Sequence, residues 1–152
     1  MTARSDRYLA EPGAAGVFTR LTRVGLFLDA FQHRCLDQFG LRFVDYSVLR
    51  ILQTADDPVT PGELSELLLR SSGGITQILD RLERAGLVER SVDRTDRRRV
   101  LIALTDDGLR VAKEANAAYA GERDRILGHL SKTDVKQLDT AVRRLLDVLG
   151  TE

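Results

Sequence analysis

Four of the six residues from Arg94 to Arg99 are arginines: Arg94, Arg97, Arg98 and Arg99. A guanidinium is always charged and presents its donors in a planar fork that fits phosphate oxygens. Several of them on one short loop suit a polyanion better than they suit chemistry at a single bond. Upstream stand Ser71, Ser72, Thr76 and Gln77. Their hydroxyls and amide can meet phosphates or base edges, and a glutamine can pair bidentately with adenine. No other group of residues has the spacing of a reacting site. One cysteine, Cys35, and two histidines, His33 and His129, are too few and too scattered for a structural zinc site. There is no nucleophile–base pattern, phosphate-binding loop or repeated carboxylate motif. The chain is therefore expected to need no cofactor or metal and not to be an enzyme.

The polar group and the arginine group are separated by a recognisable series of elements. Thr60, Pro61 and Glu63 make a helix start: Thr60 accepts from a backbone N–H, Pro61 has none to leave orphaned, and Glu63 reaches back to the cap. Leu64, Leu67 and Leu68 follow at helical spacing. The pattern breaks at Ser71-Ser72-Gly73-Gly74, where Ser71 or Ser72 can cap a second helix whose apolar face is Ile75, Ile78, Leu79 and Leu82. Gly86 ends it. Residues 87–90 and 100–104 read as two strands, with the arginine-rich turn between them. Helix, tight turn, helix and two-stranded ribbon make a winged helix-turn-helix, which offers a helix sized for the major groove and a cationic loop for phosphates or the minor groove.

On either side lie long helices. From 14 to 39, Val17, Leu21, Val24, Leu28, Phe31 and Cys35 form a near-heptad seam, and Phe18, Leu26 and Phe27 widen it. This face exceeds what a small winged domain covers, so a partner chain is expected; packing on its own domain is the competing reading. A helix over 44–53 buries Val48, Leu49, Ile51 and Leu52. After the wing, acids at Asp106 and Asp107 start a helix running to about residue 127, where the helix dipole favours them. Ser131 and Asp134 then cap a last helix, whose Leu138, Val142, Leu145 and Leu149 recur at helical spacing up to Gly150. The fold class expected is mainly α with a small β-wing. A single subunit would span residues 1–152, with 41–105 as the winged part and 14–40 and 106–150 as a dimerisation platform.

Twenty-three basic and 23 acidic residues balance, and on totals alone this argues against a nucleic-acid partner. Position matters more: from Arg81 to Arg99 seven arginines face four acids, a local excess of three. No apolar run approaches the roughly 20 residues that span a bilayer. The first residues lack the apolar core of a secretion signal, so a cytoplasmic place and no membrane partner are expected.

The run from Leu41 to Gly108 resembles the MarR family of bacterial transcription regulators. The resemblance is carried by Leu41 to Leu49, by Glu63-Leu64-Ser65 with Ser71, by Ile75 to Val88, by Asp96-Arg97-Arg98, and by Leu104-Thr105 with Gly108. It implies a homodimer on a pseudo-palindromic double-stranded DNA operator, usually a repressor released by a small aromatic or phenolic effector or by oxidation. The Ser71-to-Thr76 segment looks like that of a branch including urate-responsive members. That branch uses a tryptophan in an N-terminal helix, and this chain has none. The resemblance places Arg98 at the position that enters the minor groove and Asp96 at the one that holds it; a bidentate carboxylate would fix the guanidinium. It also puts Phe43 and Tyr119 at pocket-lining positions, with Tyr46 and His33 as neighbours, against the reading that the aromatics are ordinary core.

Other sites carry competing roles. Arg81 and Arg84 are expected to meet phosphate or to pair with Asp80, Glu83 or Glu89, with Asp80 orienting Arg81. Cys35, on the apolar seam, is expected to be an inert buried thiol rather than a peroxide sensor. The alternative function is a winged-helix protein–protein adaptor that never touches DNA, and the basic wing speaks against it.

Overall fold

The computed structural model describes residues 12–93 and 95–150. Its helices are α1 (Gly13–Leu36), α2 (Phe43–Thr54), α3 (Pro61–Leu67), α4 (Ser72–Arg84), α5 (Asp106–Leu127) and α6 (Lys132–Leu149). The strands β1 (Val88–Val92) and β2 (Val100–Leu104) pair antiparallel between α4 and α5, from Val88 opposite Leu104 to Val92 opposite Val100. The chain is mainly helical with a two-stranded wing. It divides into two compact units, Met1–Asn116 and Ala117–Glu152, so α1 belongs with the winged elements and the division falls within α5.

The local rules account for the element ends. Thr60 and Glu63 form a capping box: the Glu63 N–H donates to Thr60 Oγ1 (3.3 Å) and the Thr60 N–H donates to Glu63 Oε2 (2.7 Å). The two Thr60 donors, backbone first, hold the Glu63 carboxyl below its ordinary pKa. Ser131 and Asp134 repeat the device at α6. Gly86 sits at φ +72°, a left-handed conformation that a glycine adopts without strain. The 24 residues of α1 are followed by a 3-10 turn, Asp37–Phe39, so the single helix expected over 14–39 tightens in its last turn.

The core of the first unit lies between α2, α3, α4 and the ribbon. Val48, Leu49, Leu64, Ile75, Leu79, Leu82, Val88 and Ile102 are all buried. Phe31 and Cys35, at the C-terminal end of the α1 seam, join them. Cys35 is thus a buried thiol, as its apolar position suggested. The seam does not behave as one face: Val17, Leu21, Val24 and Leu28 stay exposed, as do Phe18, Leu26 and Phe27. The face assigned to α2 is corrected: Ile51 and Leu52 are half-buried, and Asp45 and Tyr46 take buried places that apolar periodicity had not assigned. In the second unit α6 buries none of its residues, and Leu138, Val142, Leu146 and Leu149 lie open.

The start of α5 is locked to the end of α4. The Thr105 N–H donates to the Leu87 carbonyl (3.2 Å), its hydroxyl donates to the Gly86 carbonyl (2.6 Å), and its Oγ1 accepts from the Gly108 N–H (3.0 Å). A Cβ on Gly108 would land on the Leu87 carbonyl oxygen, so only glycine allows this approach. The ribbon base is held a second time where the Ile102 N–H donates to the Val59 carbonyl (2.8 Å). Among the described residues no helix is long and apolar enough to cross a membrane.

Candidate nucleic-acid interface

The polar residues of α4 occupy its N-terminal half and face solvent. Ser71 is the N-cap: its Oγ accepts from the Gly74 N–H (3.2 Å), which leaves its own hydroxyl proton to donate elsewhere. Ser72, Thr76 and Gln77 are exposed. Ser72 and Thr76 are four residues apart and share a face. The Thr76 hydroxyl donates to the Ser72 carbonyl (2.9 Å), so its proton is committed while its lone pairs can still accept. Opposite this polar face, Ile75, Ile78, Leu79 and Leu82 are buried, as their spacing requires. The helix therefore presents donors and acceptors in one direction and is fixed by packing in the other.

At the wing tip two carboxylates order the chain. Asp93 Oδ1 accepts from the Thr95 hydroxyl (2.7 Å), the Thr95 N–H (2.7 Å) and the Asp96 N–H (3.4 Å). The Thr95 hydroxyl first, and its N–H second, hold the Asp93 carboxyl below the usual carboxylate range. Asp96 Oδ1 accepts from the Arg98 N–H (3.0 Å), and backbone bonds join Asp93 to Arg99 and Arg99 to Asp96. This corrects the expected clamp: Asp96 grips the backbone of Arg98, not its guanidinium. A carboxylate two residues away reaches an N–H in a tight turn more readily than the end of a long side chain. Asp93 was missed, although an aspartate at the entry of a polar turn is a sequence signal for this turn chemistry. Arg97, Arg98 and Arg99 are exposed, with Arg99 Nη1 4.0 Å from Asp93 Oδ2. Arg94 lies outside the described residues.

Arg81 has a different setting from the one expected. Its guanidinium forms a two-point pair with Asp45 of α2, through Nη2 to Oδ1 and through Nε to Oδ2 (3.3 Å). Asp45 is buried and also accepts from the Arg42 N–H (3.0 Å). A buried carboxylate must be paired, and Arg81 fills that need, so its fork is engaged within the fold and not offered to phosphate. Asp80 does not orient Arg81. Asp80 and Glu83 both pair with Arg90 of β1, at 2.6 and 2.8 Å.

Of the four residues assigned to a pocket, His33, Phe43 and Tyr46 lie in the first unit and Tyr119 in the second. Tyr46 is buried and its hydroxyl donates to Asn116 Oδ1 (3.0 Å), as the polar tip of a core aromatic requires. Its ring lies 6.0 Å from that of Phe43. Phe43 and His33 do meet, in a hollow of about 270 Å³ lined also by Asp29, Gln32, Arg42, Val44 and Arg70. Tyr119 is half-buried on α5, in the second unit. A larger hollow, about 600 Å³, is lined by Ile51, Leu67 and the carboxylates of Asp56, Asp57, Glu63 and Glu66, whose charge repels an acid. Among the described residues no cluster of metal-ligating side chains forms.

Residues 39–99 match a family model described as MarR family. The organic hydroperoxide resistance transcriptional regulator of Bacillus subtilis is 37% identical over 117 residues, 75% of this chain and 76% of that one. CouR of Rhodococcus jostii, solved bound to p-coumaroyl-CoA, is 29% identical with a TM-score of 0.76, over 85% of this chain and 90% of the other. The fold is shared with MepR of S. aureus, solved in complex with DNA, at a TM-score of 0.80 and 23% identity over 87% and 97% of the two chains. The exposed polar half of α4 and the ordered cationic wing are thus found on a chain that, by these relatives, is a DNA-binding transcriptional regulator and not an enzyme, and it belongs to the MarR family.

Proposed function

We propose that this regulator is a homodimeric repressor of a pseudo-palindromic operator, with Ser71, Ser72, Thr76 and Gln77 meeting the major groove and Arg97, Arg98 and Arg99 meeting phosphates and the minor groove. The supporting observation is the division of labour on α4: its N-terminal half is polar and exposed, while its C-terminal half is paired to α2 and β1. Arg81 is not among the contacts. Dimerisation is supported by the open apolar faces of Val17, Leu21, Val24 and Leu28 on α1 and of Leu138, Val142 and Leu149 on α6, each larger than an isolated surface residue explains. Sedimentation should give a dimer at micromolar concentration, and Leu28→Glu or Leu145→Glu should weaken dimerisation and operator binding together. A wild-type monomer at that concentration would end the dimer reading.

Release by an aromatic acid is supported by the hollow beside Phe43, where Arg42 and Arg70 supply cations and His33 a second ring. A solved relative is bound to p-coumaroyl-CoA, an aromatic acyl thioester. The Arg42 N–H also donates to Asp45, which holds Arg81 of α4, so a ligand that moved Arg42 would disturb the recognition helix. Such a ligand must bind the DNA-incompetent state better, and operator must then weaken its binding reciprocally. Calorimetry with aromatic carboxylates, with and without operator, tests this; equal affinity in both would reject coupling for that ligand.

A further inference from the structure

We propose that Arg90 is a positioning residue that sets the angle between α4 and the wing, with the Arg90–Ile102 register pair as the pivot. The inference rests on the reading that α4 and the wing together hold DNA. The Arg90 side chain leaves β1 and divides its fork between two carboxylates on α4, Nη2 to Asp80 Oδ1 at 2.6 Å and Nη1 to Glu83 Oε2 at 2.8 Å. Asp80 and Glu83 are three residues apart and share one face of the helix. One planar fork spanning two acceptors fixes direction as well as distance, which a lysine ammonium does not reproduce.

Across the ladder from Arg90 stands Ile102, buried, with its N–H donating to Val59. Above the buried Val88 level, this is where both strands are tied to the body of the unit, β1 through Arg90 and β2 through Ile102. Beyond it the ribbon changes character. Ser91, Val92 and Val100 are exposed, and the hydrogen bonds described for Asp93 and residues 95–99 stay within the tip. The tip is ordered internally by Asp93 and Asp96; Arg98, Arg99 and Val100 also line a hollow with Glu63 and Glu66 of α3, while the side-chain ties from β1 to α4 are the two ion pairs of Arg90. Those pairs are partly exposed, with Arg90 at 28%, so their contribution to stability is small and their effect is on geometry. Asp80 and Glu83 also lie on the helix assigned to DNA. Were Arg90 present to attract phosphate, spending its fork on two carboxylates would defeat that use.

The test compares R90Q, R90K and the double variant D80N/E83Q, which removes both acceptors and leaves Arg90 in place. Spin labels at Gln77→Cys and Val92→Cys, in a Cys35→Ala background, report the α4–wing distance without DNA. The distribution should broaden at least about twofold in R90Q and in D80N/E83Q, with R90K between them and wild type. A second arm measures affinity for a selected operator against scrambled duplex. The ratio should fall about tenfold for R90Q, which loses one positive charge, and for D80N/E83Q, which loses two negative charges, because the charge changes alone act on both duplexes alike. If D80N/E83Q tightened binding to both duplexes and kept the ratio and the wild-type distance width, Arg90 would be a phosphate contact and the proposal would be overturned. A wild type that bound neither duplex would remove the DNA reading, while the label distances would still decide whether Arg90 sets the angle.

Discussion

The base of the winged unit and its solvent edge are built from opposite materials. At the base, Gly108 lies against the Leu87 carbonyl, Thr105 bonds both ends of the junction, and Asp45 is buried under the Arg81 fork. At the edge, Ser72, Thr76, Gln77, Arg97 and Arg98 are exposed and bury nothing. If the base holds the fold and the edge carries the proposed DNA contacts, damage to the two should separate: base variants lose stability and edge variants lose binding. The wing tip mixes the two, since its backbone is ordered by carboxylates while Arg97 and Arg98 are exposed.

The separation can be broken most sharply at Gly108. A methyl group there has no room, and Gly108→Ala should cost at least about 3 kcal/mol, read as a lowered denaturant midpoint. Asp45→Asn should come next, at about 3 kcal/mol, near the low end for a broken buried pair because Arg81 can turn partly into water. Gly108→Ala should bind operator normally while folded, whereas Asp45→Asn also frees Arg81 of α4 and should weaken operator binding as well. Ser71→Ala spans the two classes: loss of the α4 cap should cost about 1 kcal/mol of stability and weaken operator binding as well. The smallest effect is on pH. Asp93 has its folded pKa lowered by Thr95, so its ordering of the tip is fully present above the unfolded value of about 3.9 and is lost as pH falls through the lower folded value. The protection of the Thr95 and Asp96 amides, their exchange compared with the unprotected rate at the same pH, should fall over that acid range, and protection already absent at neutral pH would contradict it.

Local patterns were legible in the sequence at base and edge alike, and pairs between distant elements were not. Helical spacing identified Ile75, Ile78, Leu79 and Leu82, and the Thr60–Glu63 and Ser131–Asp134 boxes announced two helix starts, because these are local patterns. Asp45 and Tyr46 escaped because their partners, Arg81 and Asn116, are 36 and 70 residues away, and no periodicity reports such a pair. Arg90 escaped for a similar reason: it reads as an outward strand residue, and its acceptors lie on another element. Asp96 was assigned to the wing for the wrong atom, since composition shows a carboxylate beside arginines but not which N–H lies nearer. Arg70 joins the hollow near Phe43 through the turn before α4, which sequence spacing does not fold.

The most direct measurement selects bound sequences from random duplex and then titrates wild type, Gln77→Ala and Arg98→Ala against that operator and a scrambled duplex at several salt concentrations. If α4 reads and the wing holds, Gln77→Ala relaxes preference at one position in each half-site and leaves the salt slope nearly unchanged. Arg98→Ala weakens both duplexes alike and lowers the log–log salt slope by roughly one unit per chain. Wild-type affinity of Arg98→Ala for both duplexes, with an unchanged slope, would make the wing a solvated loop and contradict the assignment.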